Sequence, residues 1–116
     1  MNAEIEDKKT YLLHWMYDFI EGEDEPAYLQ EHIEECDQVL SSFIDDVANS
    51  HQRSDFLWVS AQVESLVKKL NELNFNLDHQ LIETDQREDI CALIKLVLQK
   101  AGHECKEDMT EKWREW

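Results

Sequence analysis

The sequence predicts an all-α protein: a single-domain antiparallel bundle of four main helices followed by a short C-terminal helix. The chain of 116 residues has only two glycines and one proline, too few for the many tight turns of a β-protein. Apolar residues recur at helical spacing in four long segments. A hydrophobic fraction of 42% at this length is typical of one domain, residues 1–116, with one core.

The first helix is predicted from about Glu4 to about Glu21, because apolar residues there have a period near 3.6. This stripe comprises Ile5, Leu12, Met16, Phe19 and Ile20. Gly22 follows as a stop signal, and Pro26 suits the first turn of a second helix that ends near Asn49. The predicted buried face of this second helix comprises Leu29, Ile33, Cys36, Leu40, Phe43, Ile44 and Val47.

The third helix is predicted to follow Ser54, a favourable N-cap residue. Its buried face comprises Phe56, Val59, Val63, Leu66, Val67, Leu70 and Leu73. Three asparagines weaken the end of this helix: Asn71, Asn74 and Asn76. Residues 76–83 are then expected to form a crossing loop with three apolar anchors on the core, Leu77, Leu81 and Ile82.

The fourth helix is predicted to begin at a Thr84 cap and to end at Gly102, where a left-handed residue is favoured. Its apolar face comprises Ile90, Leu93, Ile94, Val97, Leu98 and Ala101. Asp108 has the capping-box spacing to a glutamate three residues later, which predicts a short terminal helix. Trp113 and Trp116 share one face of that helix, either covering the end of the bundle or forming a partner-binding pair.

The net charge of −16 is concentrated in the first half of the chain. Residues 1–55 contain 15 acids and 3 bases, whereas residues 56–116 contain 12 acids and 8 bases. Such a charge repels nucleic acid and anionic membranes and attracts a basic partner. The chain has no apolar run long enough to span a membrane and an odd number of cysteines, three, so a cytoplasmic protein with reduced thiols is expected.

The predicted binding surface consists of acids that lie outside the apolar stripes, before and along the second helix. They are Glu21, Glu23, Asp24, Glu25, Glu31, Glu34, Glu35, Asp37, Asp45 and Asp46. A charged face is usually only a solvated one. Here, however, few bases offset these acids, and the helix lacks the opposite-charge pairs that stabilise an ordinary exposed face. The acids are therefore the candidate site for a basic partner.

The sequence gives only weak indications of a metal site or a catalytic site. His32 and Cys36 have the spacing of two metal ligands, with Glu35 nearby, but Cys36 also belongs to the apolar stripe and fits a small buried residue. Cys91 lies in an apolar context that raises a thiol pKa, and Cys105 is surrounded by acids. The sequence has neither a glycine-rich phosphate loop nor an HExxH motif. We expect no catalytic residues, no metal and no cofactor.

Residues 70–116 contain two distinctive stretches, "LNELNFNLDHQLIETDQREDICALI" and "AGHECKEDMTEKWREW". They give the second half of the chain a resemblance to a group of small acidic bacterial immunity proteins. It implies a small cytoplasmic protein that binds and blocks one cognate toxin, without being an enzyme. It also implies that the IETDQRE segment preserves the fold, with Thr84 as a cap and Arg87 tied to a neighbouring acid. The acidic helix would then be the partner-specific surface.

Two interpretations follow for function. In the first, the protein neutralises a basic toxin, such as a nuclease, by covering its substrate-binding surface. In the alternative, the carboxylates mimic the phosphates of a nucleic acid and inhibit a DNA-binding enzyme, as anti-restriction or anti-CRISPR proteins do. The second interpretation requires acids that are spaced along the surface like phosphates. Neither interpretation involves direct binding to nucleic acid.

Overall fold

A computed structural model describes residues 3–105 and 107–116, and its regular secondary structure in these ranges is entirely helical. Within them the helices are α1 (Ala3–Ile20), α2 (Gln30–Asn49), α3 (Phe56–Asn76) and α4 (Thr84–Lys100). Helix α2 packs against α3 and α1, and α1 also packs against α4. The predicted all-α class is confirmed. None of these helices is long and apolar enough to cross a membrane.

The buried apolar side chains form one continuous core to which all four helices contribute. The predicted buried faces are confirmed in the central turns of the helices. The sequence pattern also places Phe19, Leu29 and Phe56 on buried faces, but they are 52, 49 and 49% exposed. Each of these three residues lies at or beside a helix end, where the helical period continues but the neighbouring helices no longer cover the side chain.

Helix α2 begins later than Pro26 indicates: residues 26–29 are non-helical, and the helix starts at Gln30. The reason is Tyr28, which is only 1% exposed. Its hydroxyl donates to the backbone oxygen of Met16 at 3.4 Å, and its ring stacks on Phe19 with centroids 5.8 Å apart. The irregular backbone lets Tyr28 reach the core from a position outside the helix.

The N-caps of α3 and α4 each lie one residue from the predicted position. Asp55, rather than Ser54, caps α3, and its carboxylate accepts two backbone N–H groups of the first turn at 3.0 and 3.4 Å. Glu83, rather than Thr84, is the N-cap residue of α4, and its N–H donates to the side-chain oxygen of Gln86 at 3.2 Å. In both helices the N-cap residue is the one whose hydrogen bond satisfies a backbone N–H group that has no partner within the helix.

The connection between α3 and α4, residues 77–83, is fastened by a buried asparagine. Asn74 is 1% exposed, and its side-chain oxygen accepts the N–H groups of Leu81 at 3.1 Å and Ile82 at 2.9 Å. Its backbone oxygen accepts the N–H of His79 at 2.8 Å. Leu81 and Ile82 are buried, as expected. Asn74 therefore stabilises the helix end that the sequence pattern predicts it to weaken.

The C-terminal segment differs from the prediction, because residues 109–113 form turns and not a helix. Asp108 explains the difference. One of its carboxylate oxygens accepts the backbone N–H of Thr110 at 2.8 Å and also its hydroxyl, and the other pairs with Arg114 at 3.2 Å. These side-chain contacts hold the chain in a tight turn. The end of α4 is as predicted, since Gly102 has φ = +98°.

Candidate functional site

The acidic connection, residues 21–25, follows directly from the end of α1. Gly22 has φ = +77°, a conformation that favours glycine and turns the chain out of the helix. The four predicted site residues of this segment are all exposed: Glu21, Glu23, Asp24 and Glu25. None of them forms an ion pair within the described part of the chain. Their charges are consequently left to solvent, as far as the described residues are concerned.

The solvent face of α2 carries a second group of acids, which we call the acidic stripe: Glu31, Glu34, Glu35, Asp45 and Asp46. All five are exposed, and their helical positions lie opposite the buried face of α2. At 1.5 Å per residue the stripe extends over roughly 22 Å. Among the described residues no lysine or arginine pairs with it. The structure therefore brings these five predicted site residues onto one face that no described lysine or arginine compensates, although Nε2 of His32 lies 3.9 Å from a carboxylate oxygen of Glu31.

Asp37 is the exception among the ten predicted site residues. It lies beside the stripe and pairs at 3.2 Å with Lys9 of α1, which also contacts Glu6 at 3.3 Å and donates to Ser41 at 2.8 Å. Partial burial lowers the pKa of Lys9, but the hydrogen bond and charge of Asp37, together with Glu6, leave that pKa raised. Asp37 thus joins α1 to α2, and its charge is partly offset by Lys9, which it shares with Glu6.

The possible metal ligands on α2 are engaged in structural roles. The Nδ1 atom of His32 accepts the N–H of Leu29 at 2.8 Å, which completes half of a capping box at the start of α2. Cys36 is fully buried, and burial together with the charge of Asp37 raises its thiol pKa to about 12. Across residues 3–105 and 107–116, no group of three His, Cys, Asp or Glu side chains is arranged to hold a metal ion.

Cys91 and Cys105 line one small cavity beside the C-terminal segment. Burial raises the pKa of Cys91, although its hydrogen bond with Thr110 acts in the opposite direction. Burial also raises the pKa of Cys105, whose sulfur lies 3.1 Å from that of Met109, while Lys95 lowers it. Raised pKa values keep both cysteines as neutral thiols, which are poor nucleophiles and poor metal ligands.

A groove between α1 and the start of α4 is the feature that the sequence reasoning missed. It has a volume of about 500 Å³ and is lined on one side by aromatic residues of α1: Tyr11, Trp15 and Phe19. Their spacing of four residues, which places them on one side of a helix, is visible in the sequence. Of these three residues, the apolar pattern predicts a position only for Phe19, and it predicts that Phe19 lies in the core.

The opposite side of the groove comes from the IETDQRE segment and the residue after it. Asp85, Gln86, Glu88 and Asp89 line the groove on α4, and Asp18 adds a fifth polar side chain from α1. The segment also starts α4, as the Glu83 cap shows. Arg87 is partly buried but forms no ion pair with any described residue, so the expected tie to a neighbouring acid is not present.

The two C-terminal tryptophans pack on the core, as the first of the two alternatives for them requires. Asn71 of α3 holds this end of the chain. Its side-chain nitrogen donates to the backbone oxygen of Trp113 at 2.8 Å, and its side-chain oxygen accepts the N–H of Glu115 at 3.0 Å. The Arg114 guanidinium lies 5.6 Å from the ring centroid of Trp116. Both tryptophans remain partly accessible.

The sequence matches no protein-family model and no curated protein, and no solved structure matches it.

Proposed function

We propose that the chain is an immunity protein, which binds a cognate basic toxin in the cytoplasm and neutralises it. The observation that carries this proposal is the acidic stripe of α2, an exposed face with no lysine or arginine partner among the described residues. Helices of soluble proteins commonly offset such faces with opposite charges, because like charges repel and destabilise the fold. A basic partner would remove that repulsion on binding. The resemblance of residues 70–116 to immunity proteins supports the same function.

The stripe and the acidic connection would act mainly on the rate of association. Exposed charges steer a partner of opposite sign, and their effect falls as salt screens them. Slow release requires apolar or aromatic anchors, which the acidic stripe itself does not contain. In this proposal the four helices are antiparallel, as their short connections favour, and no catalytic group or cofactor takes part.

The alternative, a nucleic-acid mimic, receives less support from the geometry of the stripe. Its acids fall into two groups that are separated by Gln38 and Ser42, which also face solvent. From Glu35 to Asp45 this gap is roughly 15 Å, at 1.5 Å per residue. The phosphates of each DNA strand repeat about every 3.4 Å along the axis. A basic protein surface does not need a regular repeat, so the toxin is the preferred partner.

The test is co-expression of this chain with the toxin domain encoded beside its gene, in a bacterial strain that the toxin kills. We expect the chain to restore growth and to bind the purified toxin. Replacing three acids of the stripe (Glu31→Gln, Glu34→Gln and Glu35→Gln) should weaken binding by at least about tenfold at low salt. The matched control neutralises three exposed acids elsewhere (Glu104→Gln, Glu107→Gln and Glu111→Gln) and should change the affinity by less than about twofold.

Circular dichroism and thermal unfolding of both variants establish that the fold is retained. Failure to restore growth would contradict the immunity function. An affinity that does not change with salt, or that falls equally in the two triple variants, would contradict the role of the stripe. Competition of DNA with the captured partner, in place of toxin binding, would favour the nucleic-acid mimic.

A further inference from the structure

The aromatic side of the groove between α1 and α4 is exposed although α1 has a complete buried face of its own. Tyr11, Trp15 and Phe19 are 56, 46 and 52% exposed. The rings of Tyr11 and Trp15 meet edge to face, with centroids 6.1 Å apart and an interplanar angle of 74°. A row of large, half-exposed aromatic side chains on a monomeric protein is typical of a binding surface.

The charge of the acidic side of the groove is only partly compensated, by Lys8. Asp85, Glu88 and Asp89 line it, and none of the described lysine or arginine residues does. Burial raises the pKa of Asp89, and the neighbouring charges of Asp85 and Glu88 raise it further, while Lys8 lowers it. The carboxylates therefore repel one another in a partly buried setting. A cation placed between them would relieve this repulsion.

We propose that this groove binds a lysine- or arginine-bearing segment of a partner protein. The aliphatic stem of the basic side chain lies along the rings of Tyr11 and Trp15, its cation meets their faces, and the carboxylates of α4 accept its N–H groups. This site is separate from the acidic stripe, because α2 contributes no residue to the groove. It therefore does not rest on the toxin proposal.

The negative charge of the groove determines which class of molecule can bind there. A second copy of this chain would bring another net charge of −16 to a groove that is already acidic. Nucleic acid and anionic lipid are repelled for the same reason. A basic segment is attracted to the groove. The aromatic rings favour it over a small inorganic cation, because a lysine or arginine side chain has an aliphatic stem that packs on the rings and an inorganic cation has none. The partner is thus a protein with exposed lysine or arginine side chains.

The probe is an amidated, acetylated peptide of lysine and leucine in an amphipathic helical pattern, titrated into the full chain by calorimetry at physiological salt. We expect Glu88→Gln with Asp89→Asn to weaken binding by about tenfold. The matched control, Asp45→Asn with Asp46→Asn, removes the same number of adjacent acids from the stripe and should change the affinity by less than about twofold. A peptide with glutamine in place of lysine should not bind.

A second pair of variants tests the aromatic side. Trp15→Leu keeps an apolar side chain but removes the largest ring, and we expect it to weaken binding by about fivefold, within the range of a cation–π contact. Tyr17→Leu changes an aromatic residue of the same helix that does not line the groove, and it should bind like the parent chain. Amide chemical shifts should change at the start of α4 and along one side of α1.

Three results would overturn the proposal. The first is equal weakening by the two acid pairs, which would mean that overall charge alone attracts the peptide. The second is binding that Trp15→Leu leaves unchanged. The third is a dimer in sedimentation velocity that Trp15→Leu dissociates, which would show that a second copy covers the groove.

Discussion

Two connections of similar length join helices in this protein in different ways. The connection between α1 and α2, residues 21–29, exposes its four acids and has one fully buried side chain, that of Tyr28. The connection between α3 and α4, residues 77–83, buries Leu81 and Ile82, whose N–H groups donate two hydrogen bonds to the side-chain oxygen of Asn74. The first connection mainly presents exposed charged side chains, and the second is fixed in place by buried side chains and hydrogen bonds.

The difference shows where this fold can tolerate unpaired charge. In the second connection the backbone donors are buried and must be satisfied by the protein, so its sequence is constrained by structure. In the first, the acids lie in solvent and hold no helix in place. The helices that it joins are held together instead by the shared core, to which Tyr28 contributes, and by the Lys9–Asp37 ion pair. The first connection is therefore free to vary with a partner, and three predictions test this contrast.

The largest effect is expected from Asn74→Ala, which removes from α3 the acceptor that holds the second connection. The substitution leaves the N–H groups of Leu81 and Ile82 buried without an acceptor, which costs about 1–3 kcal/mol for each unsatisfied group. We expect a loss of about 2–4 kcal/mol in the free energy of unfolding and a decrease in Tm on the order of 10 °C. Asn76→Ala, an exposed asparagine two residues later, is the control and should change stability by less than about 0.5 kcal/mol.

Urea unfolding monitored by circular dichroism measures both variants. Equal stability of the Asn74 and Asn76 variants would show that the second connection is no better fastened than the first. A loss confined to the Asn74 variant would support the contrast.

A smaller effect is expected from raising the pH to 10, which acts on the anchor of the first connection. Burial, with the charges of Cys36 and Glu83, raises the pKa of Tyr28 to about 12 from an ordinary value of 10. A raised pKa means that this stabilisation is complete below pH 10 and is lost as pH rises from 10 to 12. Cys36, whose pKa is also about 12, adds a loss that begins near pH 9. The loss from Cys36 between pH 9 and 10 is roughly 1 kcal/mol.

Two variants separate these contributions. Tyr28→Phe should flatten the dependence of stability on pH above 10, and Cys36→Ala should flatten it between 9 and 10. Both are measured by thermal unfolding from pH 8 to 11, relative to each variant's own stability at pH 8. A pH dependence that neither substitution changes would mean that the first connection is not anchored through Tyr28.

The smallest effect is expected from neutralising the first connection with Glu23→Gln, Asp24→Asn and Glu25→Gln. Because these exposed acids repel their neighbours and pair with no described residue, the variant should be up to about 0.5 kcal/mol more stable at low salt. The gain should shrink as added salt screens the charges. Chemical unfolding at low and high ionic strength checks this. A destabilised variant would reveal a structural role for the acids.

The sequence predicts the helices well because their central apolar residues repeat with one period. The central residues of α2, for example, are buried as the spacing requires. The period cannot show where the core ends, so Phe19, Leu29 and Phe56 are misplaced. Nor can it predict Tyr28, which reaches the core from a non-helical segment, because that burial depends on the path of the chain after α1.

The candidate functional residues also divide into those that the sequence predicts and those that it does not. The acidic stripe is predictable, since charged residues opposite an apolar face lie in solvent. The role of Asn74 is not, because asparagine in a helix indicates only weak propensity, and its partners lie seven and eight residues further along. The groove depends on which side of α1 the start of α4 covers. That choice is made by tertiary packing, although the spacing of Tyr11, Trp15 and Phe19 is visible in the sequence.

The ion pair between Glu4 and Lys100, 3.2 Å apart, joins residues separated by 96 positions. It belongs to the interface of α1 with α4, whose contacts close the largest loop of the chain and bear the largest closure entropy. Contacts within helices and between successive helices form sooner during folding, because they are local. We therefore expect the α1–α4 interface to assemble last. The groove would then exist only on a completely folded chain, and a partner that binds it would distinguish finished molecules from folding intermediates.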